Sequence, residues 1–392
     1  MSIKNKISIT FLSLCTLGCV SQKPDELKPF VNGRSVATIE LSNNKSDYKM
    51  EPINMSEFVD SVKFIVLEET EECLIKSPYK IFFTPEQVIA VDRDLATIFF
   101  FDWNGKYIKK ISRKGRGAGE YVSMASCMFD EQKQELLVYD MLAKKILFYD
   151  LSGNYLRDIP QFSDGVFIND IINLPNGHFL CYKYNDVGKA DEKYTGLWEV
   201  DAEGQFLSNY FSYKVVLPFV HGAPHFQQIQ NGVISLRDNT HNDLYHYHDG
   251  VVERYISYNI KGSKLPEQIG VTMALENKNI RASRSEEKGN YIVTLWVDEA
   301  NQILFSLFSK RTKTVRYWDG YYSYDANIPG VMHYSITSNS SDILVCYLGK
   351  EDIDKHLANQ NLPESTRSTL ERQLKKMEKS ENPVLELLYI KQ

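Results

Sequence analysis

The sequence lacks the local signatures of several catalytic classes. It contains no G-x-S-x-G elbow, no H-E-x-x-H and no EF-hand-like run, so a serine hydrolase, a zinc protease and a calcium loop have no motif to stand on. Its six cysteines form no C-x-x-C pair, which excludes a zinc ribbon and a thioredoxin-like site. The apolar run from Ile7 to Leu17 is too short to span a bilayer as a helix. Basic charge is not in excess: 45 Lys+Arg stand against 51 Asp+Glu, net -6, so no basic face is available for a polyanion and nucleic acid is not an expected partner. What remains is an ordinary globular composition, 24% charged and 43% hydrophobic over 392 residues, long enough for one large all-β domain with a sizeable core.

The first residues carry an address. Lys4 and Lys6 precede the apolar run, which ends in Leu17-Gly18-Cys19: a secretory signal with a cysteine at its cleavage point. Gly18-Cys19 resembles the lipobox of bacterial lipoproteins, which implies acylation of Cys19; Thr16 stands where Leu is commoner. Residues 1–18 are read as signal peptide and residues 19–35, polar around Ser21-Gln22-Lys23-Pro24-Asp25-Glu26, as a lipidated cysteine with a flexible tether. Without residues 1–18 the chain holds 43 Lys+Arg against 51 Asp+Glu, net -8. Cys127, Cys181 and Cys346 sit in apolar strand-like runs, where free thiols pack as small hydrophobes; buried thiols, Cys73 included, are expected rather than disulfides.

A repeat of about 48 residues organises the rest. Ile89-Ala-Val-Asp92 is followed by Ile98-Phe-Phe-Phe-Asp102-Trp-Asn-Gly105, and Leu137-Val-Tyr-Asp140 by Ile146-Leu-Phe-Tyr-Asp150-Leu-Ser-Gly153. A third copy ends at Asp201-Ala-Glu-Gly204 and a shortened fourth at Asp249-Gly250. Each unit reads as strands joined by tight Asp-x-x-Gly or Asp-Gly turns, and 24 Tyr with 20 Phe suit cross-strand packing. A four-stranded sheet of this length cannot bury both faces alone, and radial stacking is the usual closed solution. Allowing for a helical insert at about 350–381, residues 76–392 accommodate about six such units.

At this point the chain resembles a known group, the six-bladed β-propeller lipoproteins of Bacteroidetes, related to NHL-repeat propellers. The resemblance rests on Val66-Leu67-Glu68-Glu69-Thr70 with Leu74-Ile75, on Phe101-Asp102-Trp103-Asn104-Gly105-Lys106-Tyr107, on Gly115-Arg116-Gly117-Ala118-Gly119-Glu120-Tyr121, and on Asn382-Pro383-Val384-Leu385. It spans residues 36–392 and implies a ring closed by terminal segments sharing one blade, with strands from 36–70 beside Val384 to Ile390. It implies little about activity, because such folds host unrelated functions. In the insert, Pro363-Glu364 opens a helix whose Leu362, Thr366, Leu370, Leu374 and Met377 recur every three or four residues as a narrow apolar stripe.

Candidate chemistry is sparse. Gly115-Arg116-Gly117-Ala118-Gly119 lacks the spacing of a phosphate loop and reads as a crossover between units, with Arg113, Lys114 and Arg116 adding positive charge to one rim. His221 and His225 lie in a loop entering the fourth unit, and His241 lies in Arg237-Asp238-Asn239-Thr240-His241-Asn242-Asp243 between two of its strands. If both connections emerge on one face, these imidazoles with Arg237 and Asp238 converge near the channel mouth, with Arg116 approaching from the second unit. Three readings stay open: a polar or glycan pocket, a divalent metal site in the channel, or solvated loops. His246 and His248 read as surface positions on a strand. Asp92/Asp94 and Asp238/Asp243 could serve as acid and base, but aspartates at strand ends more often hold turns.

The sequence thus points to an all-β, six-bladed propeller, monomeric and without a required cofactor, lipid-anchored at the bacterial outer membrane and either periplasmic or surface-exposed. It would bind a protein partner or a polar or glycan ligand through loops on one face. The alternative is a propeller hydrolase or lyase with a metal or His/Asp site at the channel mouth.

Overall fold

The turn residues of the repeat explain why the flanking runs pair as strands. In the computed structural model, which describes residues 30–31, 35–51, 53–183, 192–194, 196–211, 226–238, 243–261, 280–298, 300, 302–319, 324–332, 335–378 and 380–392, Gly105 and Gly153 adopt φ of 85° and 91°. Each donates its N–H to the carbonyl of the preceding aspartate, Asp102 or Asp150, at 3.0 Å. The Asp102 carboxylate accepts from the N–H groups of Asn104 (2.8 Å) and Lys106 (3.0 Å), and Asp150 accepts from Asn154 N–H (2.8 Å). The turn is therefore held by its own side chain, and the 48-residue step is a recurrence of this chemistry. Asp249 and Gly250, both at positive φ (49° and 81°), make the two-residue hairpin that suits the strand twist.

The strands form antiparallel units laid down in chain order. Pro78–Phe83, Gln87–Asp92, Thr97–Asp102 and Tyr107–Ile111 pair as neighbours. So do Ser126–Asp130, Glu135–Asp140, Lys145–Asp150 and Tyr155–Ile159, then Asp170–Asn173, Phe179–Lys183, Gly196–Val200 and Phe206–Phe211. Phe226–Gln228, Ile234–Arg237, Leu244–His248 and Val251–Lys261 follow, then Arg281–Lys288, Tyr291–Val297, Ile303–Ser309 and Thr314–Asp319. The closing strands are Ser335–Ser338, Ile343–Leu348 and Val384–Ile390, with Val59–Val66 outermost. Hydrogen bonding does not give six separate sheets. Among the described residues it gives five, because Thr337 and Ser338 pair in parallel with Lys80 and Ile81 and fuse the closing strands to the first unit as one eight-stranded sheet. The arrangement is all-β and propeller-like.

The expected ring closure holds for only part of the N-terminal segment. Val59–Val66 pairs antiparallel with Val384–Ile390, but Ala37–Ser42 lies parallel on Val251–Lys261, and Phe30 and Val31 pair with Val252 and Glu253 of that strand. The tether expected to end at residue 35 therefore includes two paired residues. Asn382 locks the closure: its Oδ1 accepts from Ile75 N–H (2.7 Å), and its Nδ2 donates to the carbonyls of Glu68 (2.9 Å) and Cys73 (3.0 Å).

The core is a series of apolar layers, each sandwiched between consecutive units. Phe82, Ile89 and Phe100 meet Cys127, Phe129 and Leu136, and Phe148 and Tyr139 meet Phe179 and Trp198. Between the closing strands and the first unit, Val345 and Leu387 meet Val88 and Phe101. Each such buried side chain contributes about 1.5–3 kcal/mol. Cys73, Cys127, Cys181 and Cys346 are free and buried, and burial pushes the Cys73 thiol up to about 11 and Cys127 up to about 12. The insert holds two helices rather than one, α1 (Lys350–Leu357) and α2 (Glu364–Lys376). Leu362, Leu370 and Met377 seat α2 against Val331, Leu348 and Val384.

Candidate functional site

The first strand of each unit carries at least one polar residue, and six of these side chains are buried and linked in a series. Lys80 Nζ donates to Ser126 Oγ (3.1 Å) and to the Cys127 carbonyl (3.2 Å) and stands 3.6 Å from Asp170 Oδ1. Ser126 Oγ donates to Asp170 Oδ1 (3.1 Å), whose second oxygen accepts from Phe226 N–H (3.2 Å). Gln227 Nε2 donates to Glu286, and Glu286 Oε1 accepts from Thr337 Oγ1 (2.8 Å). Thr337 is the parallel partner of Lys80, so the chain of contacts returns to its start. All six side chains are buried. Each polar group of this series is answered by a neighbour rather than by bulk water.

Beside it, Glu287 is held by Ser235 Oγ (2.9 Å), His246 Nε2 (2.9 Å) and Lys310 Nζ (2.9 Å). Burial works against its charge, yet the His246 and Lys310 contacts more than offset this and hold the carboxyl down at about 2. His246, expected on the surface, is instead half-buried, stacked on Tyr255 at 3.9 Å.

Near the starts of three of these inner strands, upstream of Lys80, Glu286 and Thr337, a cavity of about 320 Å³ opens. It is lined by Ser77, Tyr79, Arg93, Asp94, Ser283, Arg284, Ser335 and Tyr347, with Pro78 and Leu295. Its lining comes from the first, fifth and closing units. Arg93 lies over the Tyr79 ring at 4.5 Å, and burial pushes the Tyr79 hydroxyl far above the usual phenol range. Arg284 is half-buried and makes no side-chain hydrogen bond or ion pair with the described residues.

A profile for a domain of unknown function, DUF4934, matches residues 36–389. The chain belongs to the DUF4934 family. Among solved structures, this DUF4934 chain is similar to a Bacteroides fragilis protein described as exported, at 15% identity and TM-score 0.72, covering 91% of this chain and 100% of that one. It is also similar to a DUF4221-family member from Bacteroides vulgatus, at 14% identity and TM-score 0.52, covering 87% and 98%. At such identity the likeness concerns the fold. No curated protein matches the DUF4934 chain.

The site residues expected from the sequence are distributed unevenly in the DUF4934 structure. Arg237 and Asp238 are 4% and 0% exposed, so they do not present a surface patch. Arg237 Nη1 donates to the Ala282 carbonyl (2.7 Å), and Asp238 Oδ1 accepts from Tyr182 (3.1 Å). Burial brings the Arg237 guanidinium down to about 10, with Arg284 adding to the effect. Arg116 is exposed on the glycine-rich crossover, where Gly117 N–H donates to Glu120 Oε2 (2.8 Å); the loop answers its own N–H with its own carboxylate. His221, His225 and His241 lie outside the described residues, as does Cys19. Among the described residues no group of three or more His, Cys, Asp or Glu is placed to hold a metal ion. Asp92 has the turn duty expected of it, accepting from the N–H groups of Lys76, Ser77 and Leu95. Tyr79, Arg284 and Ser335, on first strands, and Arg93, just after a second strand, were not singled out by sequence.

Proposed function

We propose that this protein is an exported, lipid-tethered six-bladed propeller that binds a polar ligand or partner at the mouth of its central channel. The observation that carries the reading is a cavity of about 320 Å³ lined by Arg93, Arg284, three serines and two tyrosines, a size and polarity that suit a small polar ligand. The count of six treats the eight-stranded sheet as two blades joined by the two-residue parallel contact of Thr337 and Ser338 with Lys80 and Ile81. It is supported by polar ring members drawn from six successive four-stranded units. Export is supported by the signal and Cys19, and by the description of the Bacteroides fragilis relative as exported.

The test is to fill the mouth. The full chain bearing Cys19→Ala is applied to an immobilised panel of neutral, acidic and basic oligosaccharides, with and without Ser335→Trp. Binding lost on Ser335→Trp and kept on Leu142→Ser, at an exposed site outside the cavity lining, supports the proposal. Binding indifferent to Ser335→Trp would overturn it.

A further inference from the structure

We infer that the mouth takes a carboxylate-bearing sugar, with Arg284 as the counter-charge of the carboxylate. The inference rests on the mouth being the ligand site and deepens that reading. Arg284 is a half-buried guanidinium facing a cavity, and no described side chain supplies it with a hydrogen bond or an ion pair. A second guanidinium, Arg237, is close enough for the two to repel. A partly desolvated cation beside another cation favours an anion in the space before it.

The acids near that space are already engaged. Asp94 lines the cavity but is exposed and pairs with Lys76 at 3.6 Å. Asp170 is taken by Lys80 and Ser126, Glu286 by Gln227, Thr337 and Lys288, and Asp238 accepts from Tyr182. A zwitterionic amino acid would bring an ammonium group to this cationic wall without an open carboxylate to receive it. A phosphate dianion calls for more than one cation, whereas Arg237 is turned to the Ala282 carbonyl and Arg93 to the Tyr79 ring. One planar fork matches one carboxylate, bidentate.

The remaining lining fits a sugar ring. The hydroxyls of Ser77, Ser283 and Ser335 make no hydrogen bond with the described residues and can serve as donors or acceptors for ring hydroxyls. Tyr79 and Tyr347 supply aromatic wall against which the apolar side of a pyranose packs. The volume lies at the lower end of the range for small-ligand pockets, enough for about one hexuronate unit, free or at the end of a chain.

The experiment is isothermal titration of the full chain bearing Cys19→Ala with D-glucuronate, D-galacturonate, methyl D-glucuronate ester, D-glucose and inorganic phosphate. A glucuronate-terminated disaccharide separates a chain end from a free sugar acid, and tighter binding of either supports the inference. The expected result is binding of at least one hexuronate, weakened tenfold or more in its neutral ester and in Arg284→Gln, with Arg284→Lys in between. A thermal melt of Arg284→Gln unchanged from the parent keeps folding out of the comparison. Glucose or phosphate binding as tightly as the hexuronates, or hexuronate binding untouched by Arg284→Gln, would overturn the inference. If a neutral sugar binds and Ser335→Trp abolishes it, the mouth stands as the site and only the carboxylate claim falls. If no probe gives binding sensitive to Ser335→Trp, both fall.

Discussion

Lys80 and Asp170 stand 3.6 Å apart in the interior although a whole four-stranded unit separates them in the chain. Ser126 of that intervening unit bonds both of them, so three inner strands are tied at one point. With side chains only 7% and 1% exposed, the two charges are compensated by each other and by the hydrogen bonds around them.

Lys80→Ala should therefore destabilise the protein by about 3–5 kcal/mol, the range for leaving one charge of a buried pair unanswered. Lys80→Met combined with Asp170→Asn should recover much of that loss, because the uncompensated charge is gone. Urea denaturation of the three proteins checks this; a double variant as unstable as Lys80→Ala would show that the ion pair is not the cause.

The two turn glycines should respond unequally to alanine. A Cβ on Gly105 would lie 2.0 Å from the Val66 carbonyl oxygen, which is backbone and cannot move aside, whereas on Gly153 the nearest atom is Ile111 Cγ1 at 3.3 Å. Gly153→Ala should cost about 1 kcal/mol for its positive φ alone. Gly105→Ala should cost at least twice that, read as the shift in denaturation midpoint.

Glu386 makes stability fall with rising pH. Burial raises its carboxyl to about 8, so the folded state keeps the proton that the unfolded chain releases near the usual value. The stabilisation is complete below about pH 4.5 and is lost progressively as pH rises toward 8, at up to about 1.4 kcal/mol per pH unit. Thermal melts between pH 5 and 8 should slope downward for the native protein and more shallowly for Glu386→Gln, which carries no titrating proton; equal slopes would assign the trend to other groups.

Cys19 carries the proposed anchor alone, so Cys19→Ala should move the protein from the membrane fraction to the soluble fraction and abolish labelling by a radioactive fatty acid. Unchanged membrane recovery, or labelling that persists without Cys19, would refute the anchor.

What the sequence reveals of this fold is what its turns and stripes encode locally. Asp102 and Gly105, or Asp150 and Gly153, define a hairpin within four residues, so the period survives in the text of the chain. The stripe from Leu362 to Met377 predicts the helix that packs there. Where a strand goes once formed is a long-range matter: Val59–Val66 and Ala37–Ser42 look alike as sequence, yet one joins Val384–Ile390 and the other Val251–Lys261. The polar ring is legible only after the inner strands are brought together, because Lys80 looks like an isolated polar residue in a strand and Glu286 like one of several in a polar run. Arg237 shows the same limit, since a loop-edge arginine in sequence is interior where the Ala282 carbonyl is placed against it.

The outer strand of the closing unit sets an order of events. Val59–Val66 is synthesised more than three hundred residues before Val384–Ile390, the strand it pairs with along its length. Until then a nascent chain carries an unsatisfied strand edge of the kind that pairs with whatever it meets. The closing unit can be completed only when Val384–Ile390 has been delivered, so its clasp is made after the strands of every other unit have become available.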